Sequence, residues 1–277
     1  MIMEKLNINS MIKSNQDVLV PRFGLGVWKS KPKECYSAVI SALKAGYRHI
    51  DTAAIYGNES EVGDAIRDSG IPRSEIFLVT KLWNADQGYD SALKAIDRSL
   101  SNLKTDYVDM YLIHFPVADK RKDSWRALQK IQSDKKTKAI GVSNYMIWHL
   151  EELINETEVL PAMNQVEYHP FLNNNELLSF CNSKGIILEA YSPLAHGQKL
   201  NDPKVSELAK KYNKSNAQIL IRWSLQKGMV VIPKSANPER IVQNADVYDF
   251  EINAADMVSM ESWDEGLRTC WDPTTVE

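Results

Sequence analysis

Apolar positions along this chain follow two alternating rhythms. Short runs rich in Val, Ile, Leu and Tyr recur, and between them apolar residues return every three or four positions. The runs are "GLGV" (24–27), "RHID" (48–51), "IFLVTK" (76–81), "YVDMYLIH" (107–114), "AIGVS" (139–143), "MNQVE" (163–167), "ILEAY" (187–191) and "VVI" (230–232). Compact apolar runs of this length read as strands covered on both faces. The stretches between them read as amphipathic helices. Leu93, Ile96, Leu100 and Leu103 form one stripe, and Val205, Leu208, Ala209 and Tyr212 form another. Gly46 and Gly185 each follow a helical segment, where a left-handed cap favours glycine.

Strands alternating with helices predict a parallel sheet, and eight such units fit an α/β fold of the (β/α)8 TIM-barrel type. The length of 277 residues suits one such barrel domain over residues 1–277. The rival architecture is an open doubly wound sheet, whose dinucleotide fingerprint requires a third glycine. Here "GLGVWK" carries Lys29 at that place. Asn and Ser turn signals within residues 1–20 predict a β-hairpin outside the barrel.

Composition narrows the function classes. A formal net charge of −3 offers no basic surface for nucleic acid or an anionic membrane. No apolar run approaches the roughly 18 residues of a membrane span, and "MIMEKLNINSMIKSN" lacks the apolar core of a signal peptide. Cys35, Cys181 and Cys270 are odd in number and far apart, which suggests neither a disulfide framework nor zinc. The histidines show no metal-binding spacing, so no metal is expected. A cytoplasmic location follows as the expectation.

Chemistry enters at the strand ends. In a (β/α)8 barrel the active site lies at the C-terminal ends of the strands. The second predicted strand ends in Asp51, the third in Lys81 and the fourth in His114, and Tyr56 lies on the loop after the second. Each alone has a plain alternative: a cap, a solvated strand end, a rim histidine. Together they suit proton transfer at a carbonyl. A phenol with an ordinary pKa of about 10 is a poor acid, and a nearby ammonium lowers that value. Asp51 would hold Lys81 charged, Lys81 would tune Tyr56, and His114 would orient the carbonyl. Lys81 alone also admits a Schiff-base lyase.

The residues also resemble a known family. "AGYRHIDTAAIYGNE", "SLSNLKTDYVDMYLIHFP" and "IPKSANPERIVQNADVYDF" are similar to the signature segments of the aldo-keto reductase superfamily, with "IGVSN", "NQVEYHP" and "YSPLA" in matching order. The nearest branch resembles the small bacterial and protozoan enzymes of the 2,5-diketo-gluconate reductase and prostaglandin F synthase type. The resemblance implies a monomeric barrel that reduces aldehydes and ketones with NADPH, giving NADP+, with a C-terminal tail over the mouth. It implies a tetrad of Asp51, Tyr56, Lys81 and His114. It implies that Ser143, Asn144 and Gln165 hold the carboxamide and that Tyr191 stacks on the nicotinamide. Ser192 and Leu194 would lie along the pyrophosphate, and Lys234, Ser235 and Arg240 would meet the 2′-phosphate, with Asn244 near the adenine. Two departures stand out: Gln243 replaces the usual Glu, and Phe115 replaces the usual Trp, which would widen the substrate pocket. Trp28 and Trp83, just after strands, are expected pocket walls, as is Trp271 in the tail. Trp125, Trp148 and Trp223 fall in helical segments and are expected to pack. A non-enzymatic NADPH-binding regulatory barrel is the second alternative function.

Overall fold

The computed structural model describes residues 5–276. An antiparallel hairpin of β1 (Met11–Lys13) and β2 (Leu19–Pro21) precedes an eight-stranded parallel sheet. The sheet runs β3 (Leu25–Gly26), β4 (His49–Asp51), β5 (Phe77–Leu82), β6 (Val108–Ile113), β7 (Thr137–Ser143), β8 (Met163–Glu167), β9 (Ile187–Tyr191) and β10 (Val230–Val231) in sequential order. Backbone hydrogen bonds from Gly24 N to Val231 O and from Gly26 N to Pro233 O join the last strand to the first and close the ring. All eight predicted strands are present. The third runs one residue past Lys81, because Leu82 continues the ladder against Ile113.

Side-chain parity organises the interior. Successive residues of a strand point to opposite faces. Phe77 and Val79 on β5, Met110 and Leu112 on β6, Met163 on β8, Ile187 on β9 and Val230 on β10 form one buried cluster inside the barrel. The alternate residues, such as Leu78, Tyr111, Ile140 and Leu188, belong to a larger cluster shared with the helices. The parity that buries Phe77 and Val79 inside therefore aims Lys81 inside, and that of Met110 and Leu112 aims His114.

The helices form the outer layer. The predicted stripes are seen in the helix Tyr89–Leu103, which buries Ile96, Leu100 and Leu103, and in the later helix Pro203–Tyr212, which buries Val205, Leu208 and Ala209. Gly46 and Gly185 take left-handed conformations with φ of 94° and 67° after their helices.

The hairpin is more than an appendage. Val20 joins the inner cluster, and Gln16 in its turn donates to the Ile140 and Leu160 carbonyls and accepts from Ile140 N. It stoppers the N-terminal end of the barrel, so the opposite end is the open mouth. Residues 1–4 of the predicted hairpin segment lie outside the described residues. Among those described, no helix is long and apolar enough to cross a membrane.

Candidate active site

Four strand ends and one turn converge at the mouth. Lys81 Nζ donates to Asp51 Oδ1 and Oδ2 at 2.7 and 2.8 Å and to the Thr52 carbonyl at 2.9 Å. Both charged side chains are buried, at 0% and 2% exposure. A buried ion pair is tolerated only with close geometry and its remaining valences satisfied. Gln165 Nε2 supplies a further bond to Asp51 Oδ2 at 2.8 Å.

Tyr56 is delivered by a short 3-10 turn, Ala54–Tyr56, that Gly57 ends at φ 66°. Asn58 anchors the turn, accepting from the Thr52 hydroxyl at 2.8 Å and donating to the Val27 carbonyl at 3.0 Å. The Tyr56 hydroxyl lies 3.5 Å from Lys81 Nζ. Its ring meets the His114 imidazole edge-on, with centroids 5.6 Å apart. The structure thus brings Asp51, Tyr56, Lys81 and His114 into one cluster.

The electrostatics differ from the sequence expectation at one point. Burial, and after it the negative charge of Asp51, pushes the Tyr56 phenol well above its ordinary value. The Lys81 charge is engaged by Asp51 at shorter range, so its pull towards the phenolate is outweighed by burial and by Asp51. Burial, with Lys81 second, holds His114 well below the usual imidazole value, so the ring is neutral at neutral pH. Its Nδ1 is buried without a hydrogen-bond partner. A lone pair left unpaired costs less than an orphaned N–H, which places the hydrogen on Nε2.

A cavity of about 960 Å³ extends from this cluster across the mouth. At its inner end it is lined by Asp51, Tyr56 and His114, then by Ser143, Asn144, Gln165 and Tyr191, and further out by Ser192 and Leu194. Lys234, Ser235, Arg240, Gln243 and Asn244 line its far end. Asn144 bridges the His114 carbonyl at 2.9 Å and the Tyr191 hydroxyl at 2.8 Å. The Ser143 hydroxyl donates to the Gln165 carbonyl. Gln165 Oε1 has no protein partner among the described residues. Lys234 and Arg240 have no ion-pair partner among the described residues, and they stand beside the start of the helix Pro238–Ala245. Amides thus line one end of a long cleft, and cations without an ion-pair partner among the described residues line the other, a donor set able to hold an anionic ligand.

These residues belong to a recognisable family. The sequence matches the Aldo/keto reductase family over residues 22–265. The chain belongs to the aldo/keto reductase family. It is 47% identical to the glyoxal reductase of Bacillus subtilis, across 96% of this chain and 97% of that protein. It is 44% identical to the 9,11-endoperoxide prostaglandin H2 reductase of Trypanosoma cruzi, across 97% and 96%. Among solved structures, the aldo-keto reductase MGS-M4 from a Medee basin deep-sea metagenome library superposes with a TM-score of 0.93 at 47% identity, covering 96% of this chain and 99% of that one. This aldo-keto reductase is thus an enzyme that acts as a reductase, in a family that generally uses NAD(P)H.

The mouth of the reductase is aromatic. Trp28 and Trp271 line the cavity, with ring centroids 6.0 Å apart. Trp83 is not among the residues that line this cavity; its ring packs against His114 at 5.2 Å and Trp271 at 5.4 Å. Phe115 is not among the lining residues; its carbonyl accepts from Gln87. Trp125 and Trp223 are buried as expected, whereas the exposed Trp148 donates to the Val276 carbonyl of the tail.

Sequence reading missed Glu167 and Glu189. Glu167 accepts from Thr269 N at 2.9 Å, Cys270 N at 3.0 Å and the Thr269 hydroxyl, which straps the tail and Trp271 across the mouth. Glu189 lies fully buried inside the barrel. Each is a carboxylate inside an otherwise apolar strand run, a signal that was available in "MNQVE" and "ILEAY".

Proposed function

We propose that this enzyme reduces aldehydes and ketones to alcohols with NADPH, and that Tyr56 donates the proton to the carbonyl oxygen. The observation that carries this reading is the Tyr56 hydroxyl, 3.5 Å from Lys81 in a cavity it shares with neutral His114. Tyr191 would hold the nicotinamide, a group that in its reduced form supplies hydride. His114 Nε2 and the Tyr56 hydroxyl hold the carbonyl oxygen between two donors. The developing alkoxide is a far stronger base than a phenolate, so a phenol kept protonated by burial still delivers its proton. Lys81, fixed by Asp51, then stabilises the phenolate left behind. Gln165, Asn144 and Ser143 would orient the carboxamide, and Lys234, Ser235 and Arg240 would receive the 2′-phosphate.

Small carbonyls flanked by apolar groups suit a mouth walled by Trp28 and Trp271, with Trp83 packed against Trp271. The glyoxal reductase relative makes a dicarbonyl the first substrate to assay. Every residue invoked comes from one chain, so a monomer suffices. A Schiff-base lyase requires a free amine at the cavity wall, whereas Lys81 is fully buried and takes three oxygens within 2.9 Å.

The deciding experiment is Tyr56→Phe. Positioned general acids contribute roughly 10²–10⁴-fold, so kcat should fall by about that much while cofactor still binds. Near wild-type turnover would remove Tyr56 from the role.

A further inference from the structure

Beneath the Asp51–Lys81 pair the barrel interior holds a second polar cluster, built on Glu189 and His49. Glu189 Oε1 accepts from Gln165 Nε2 at 2.5 Å. The same nitrogen donates to Asp51 Oδ2 at 2.8 Å, so one amide group ties the two carboxyls together. Glu189 Oε2 lies 3.5 Å from His49 Nε2, and His49 Nδ1 lies 3.2 Å from the Pro21 carbonyl oxygen. Glu189 and His49 are both 0% exposed. The imidazole is clamped in place: a Cβ on Gly24 would come within 2.7 Å of His49 Cγ, and Phe77 packs edge-on at 5.0 Å.

These contacts assign the protons. The Pro21 carbonyl only accepts, so His49 Nδ1 carries the hydrogen, and Nε2 of the neutral ring turns a lone pair towards Glu189. A carboxylate at Oε2 would set lone pair against lone pair. At this separation both atoms are buried without a hydrogen-bond partner, and a single proton on Oε2 or on Nε2 removes the repulsion. Charge counting agrees, because Lys81 is the single cation among two carboxyls, and an uncompensated buried ion costs several kcal/mol.

We infer that Glu189 is a positioning residue for carbonyl reduction: it holds one proton against His49, and loss of that proton places a second negative charge beside Asp51 and Tyr56. The inference rests on Tyr56 being the proton donor. The groups that face Glu189 are His49 and Asp51 from β4, Tyr56 from the turn that follows, Lys81 from β5 and Gln165 from β8; β10 presents apolar Val230. Asp109 on β6, bound to Arg73 and Lys138, acts on His49, whose charged form it favours. Burial, and then Asp51, pushes the Glu189 carboxyl up to about 8, against Gln165 and Lys81, which favour the carboxylate. Burial pushes His49 down to about 4. The proton accordingly resides on Glu189 at neutral pH and leaves to bulk water by the cavity that Gln165 and Asp51 line. The charge left behind raises the Tyr56 phenol further, which makes it a weaker donor.

The test pairs spectroscopy on the protein alone with a pH–rate profile. Infrared difference spectra stepped from about pH 6 to about pH 9 should show a protonated-carboxyl stretch disappearing with a midpoint near 8 in the wild type, and Glu189→Gln should lack it. The wild-type rate of reduction should decline through the same pH, and Glu189→Gln should keep its rate at about pH 6 to 7 and lose that inflection. Absence of the band from the wild type overturns the inference without need of any variant. So does an inflection that persists in Glu189→Gln, or a loss of rate that is uniform across pH, which is what a merely structural role produces. Tyr56→Phe separates the two proposals, since it should keep the Glu189 band. If that variant also keeps its turnover, the donor assignment fails while the Glu189 titration stands.

Discussion

Both carboxylate oxygens of Asp51 lie within 2.8 Å of the Lys81 ammonium, in an environment that admits almost no water. The pair is therefore a folding element as well as a catalytic one. Asp51→Asn keeps the shape but strands a buried ammonium, and breaking such a pair costs about 3–5 kcal/mol. Denaturant midpoints should show that loss. The double variant Asp51→Asn, Lys81→Met should recover part of the stability and none of the turnover, a coupling read by a double-mutant cycle.

Lys81→Met by itself should reduce turnover through Tyr56 while cofactor affinity holds. Without the ammonium the phenolate left after proton transfer loses its nearest positive charge, 3.5 Å away. The pH dependence of the rate should shift accordingly. Borohydride trapping of a Lys81 adduct with substrate would point instead to Schiff-base chemistry.

Arg240→Ala should discriminate between the two nicotinamide cofactors. The 2′-phosphate is their only difference, and a hydrogen bond to a charged group is worth about 1.5–3 kcal/mol. NADPH should weaken by roughly 10- to 150-fold, and NADH should barely change, at about 1.4 kcal/mol per tenfold. Fluorescence titration of both cofactors reads this directly. Equal losses would reassign Arg240 to the adenine or the fold.

Glu167→Gln should loosen the tail. Two backbone N–H groups, of Thr269 and Cys270, point at this carboxylate, and an amide cannot accept both with both its ends. Amide hydrogen exchange at 269–270 should accelerate, and KM for the carbonyl should rise more than kcat falls, because Trp271 is displaced from His114, 5.9 Å away. Unchanged exchange would show that the strap is held elsewhere, for instance by Trp148.

The Glu189–His49 pair should also shape stability against pH. The carboxyl is raised from 4.5 to about 8, so its contribution is complete below about 4.5 and is lost as pH rises through 8. The imidazole is lowered from 6.5 to about 4, so its contribution is complete above 6.5 and is lost as pH falls through 4. Between 4.5 and 6.5 the two slopes oppose each other. The net effect is a fall in melting temperature of a few degrees as pH rises from about 6.5 to about 8. Glu189→Gln should abolish that fall.

Much of this molecule was determined locally. Strand periodicity depends only on the order of residues, so the eight strands and the inward aim of Lys81 and His114 follow from parity counted along "IFLVTK" and "YVDMYLIH". Helix stripes and the glycines at 46 and 185 are equally local, since they answer to backbone geometry within one turn. The quantities that decide the chemistry are sums over distant neighbours. Gln165 reaches Asp51 from 114 positions away, and it links Glu189 to the cluster. The Tyr56 phenol is raised, where the isolated Lys81–Tyr56 pairing suggested it would fall, because burial and Asp51 outweigh an ammonium already committed elsewhere. Trp271 reaches Trp83 and His114 because distant side chains, Glu167 foremost, strap a tail that no local pattern directs across the mouth. Desolvation and charge depend on everything packed around a group, and the tertiary structure alone sets that packing.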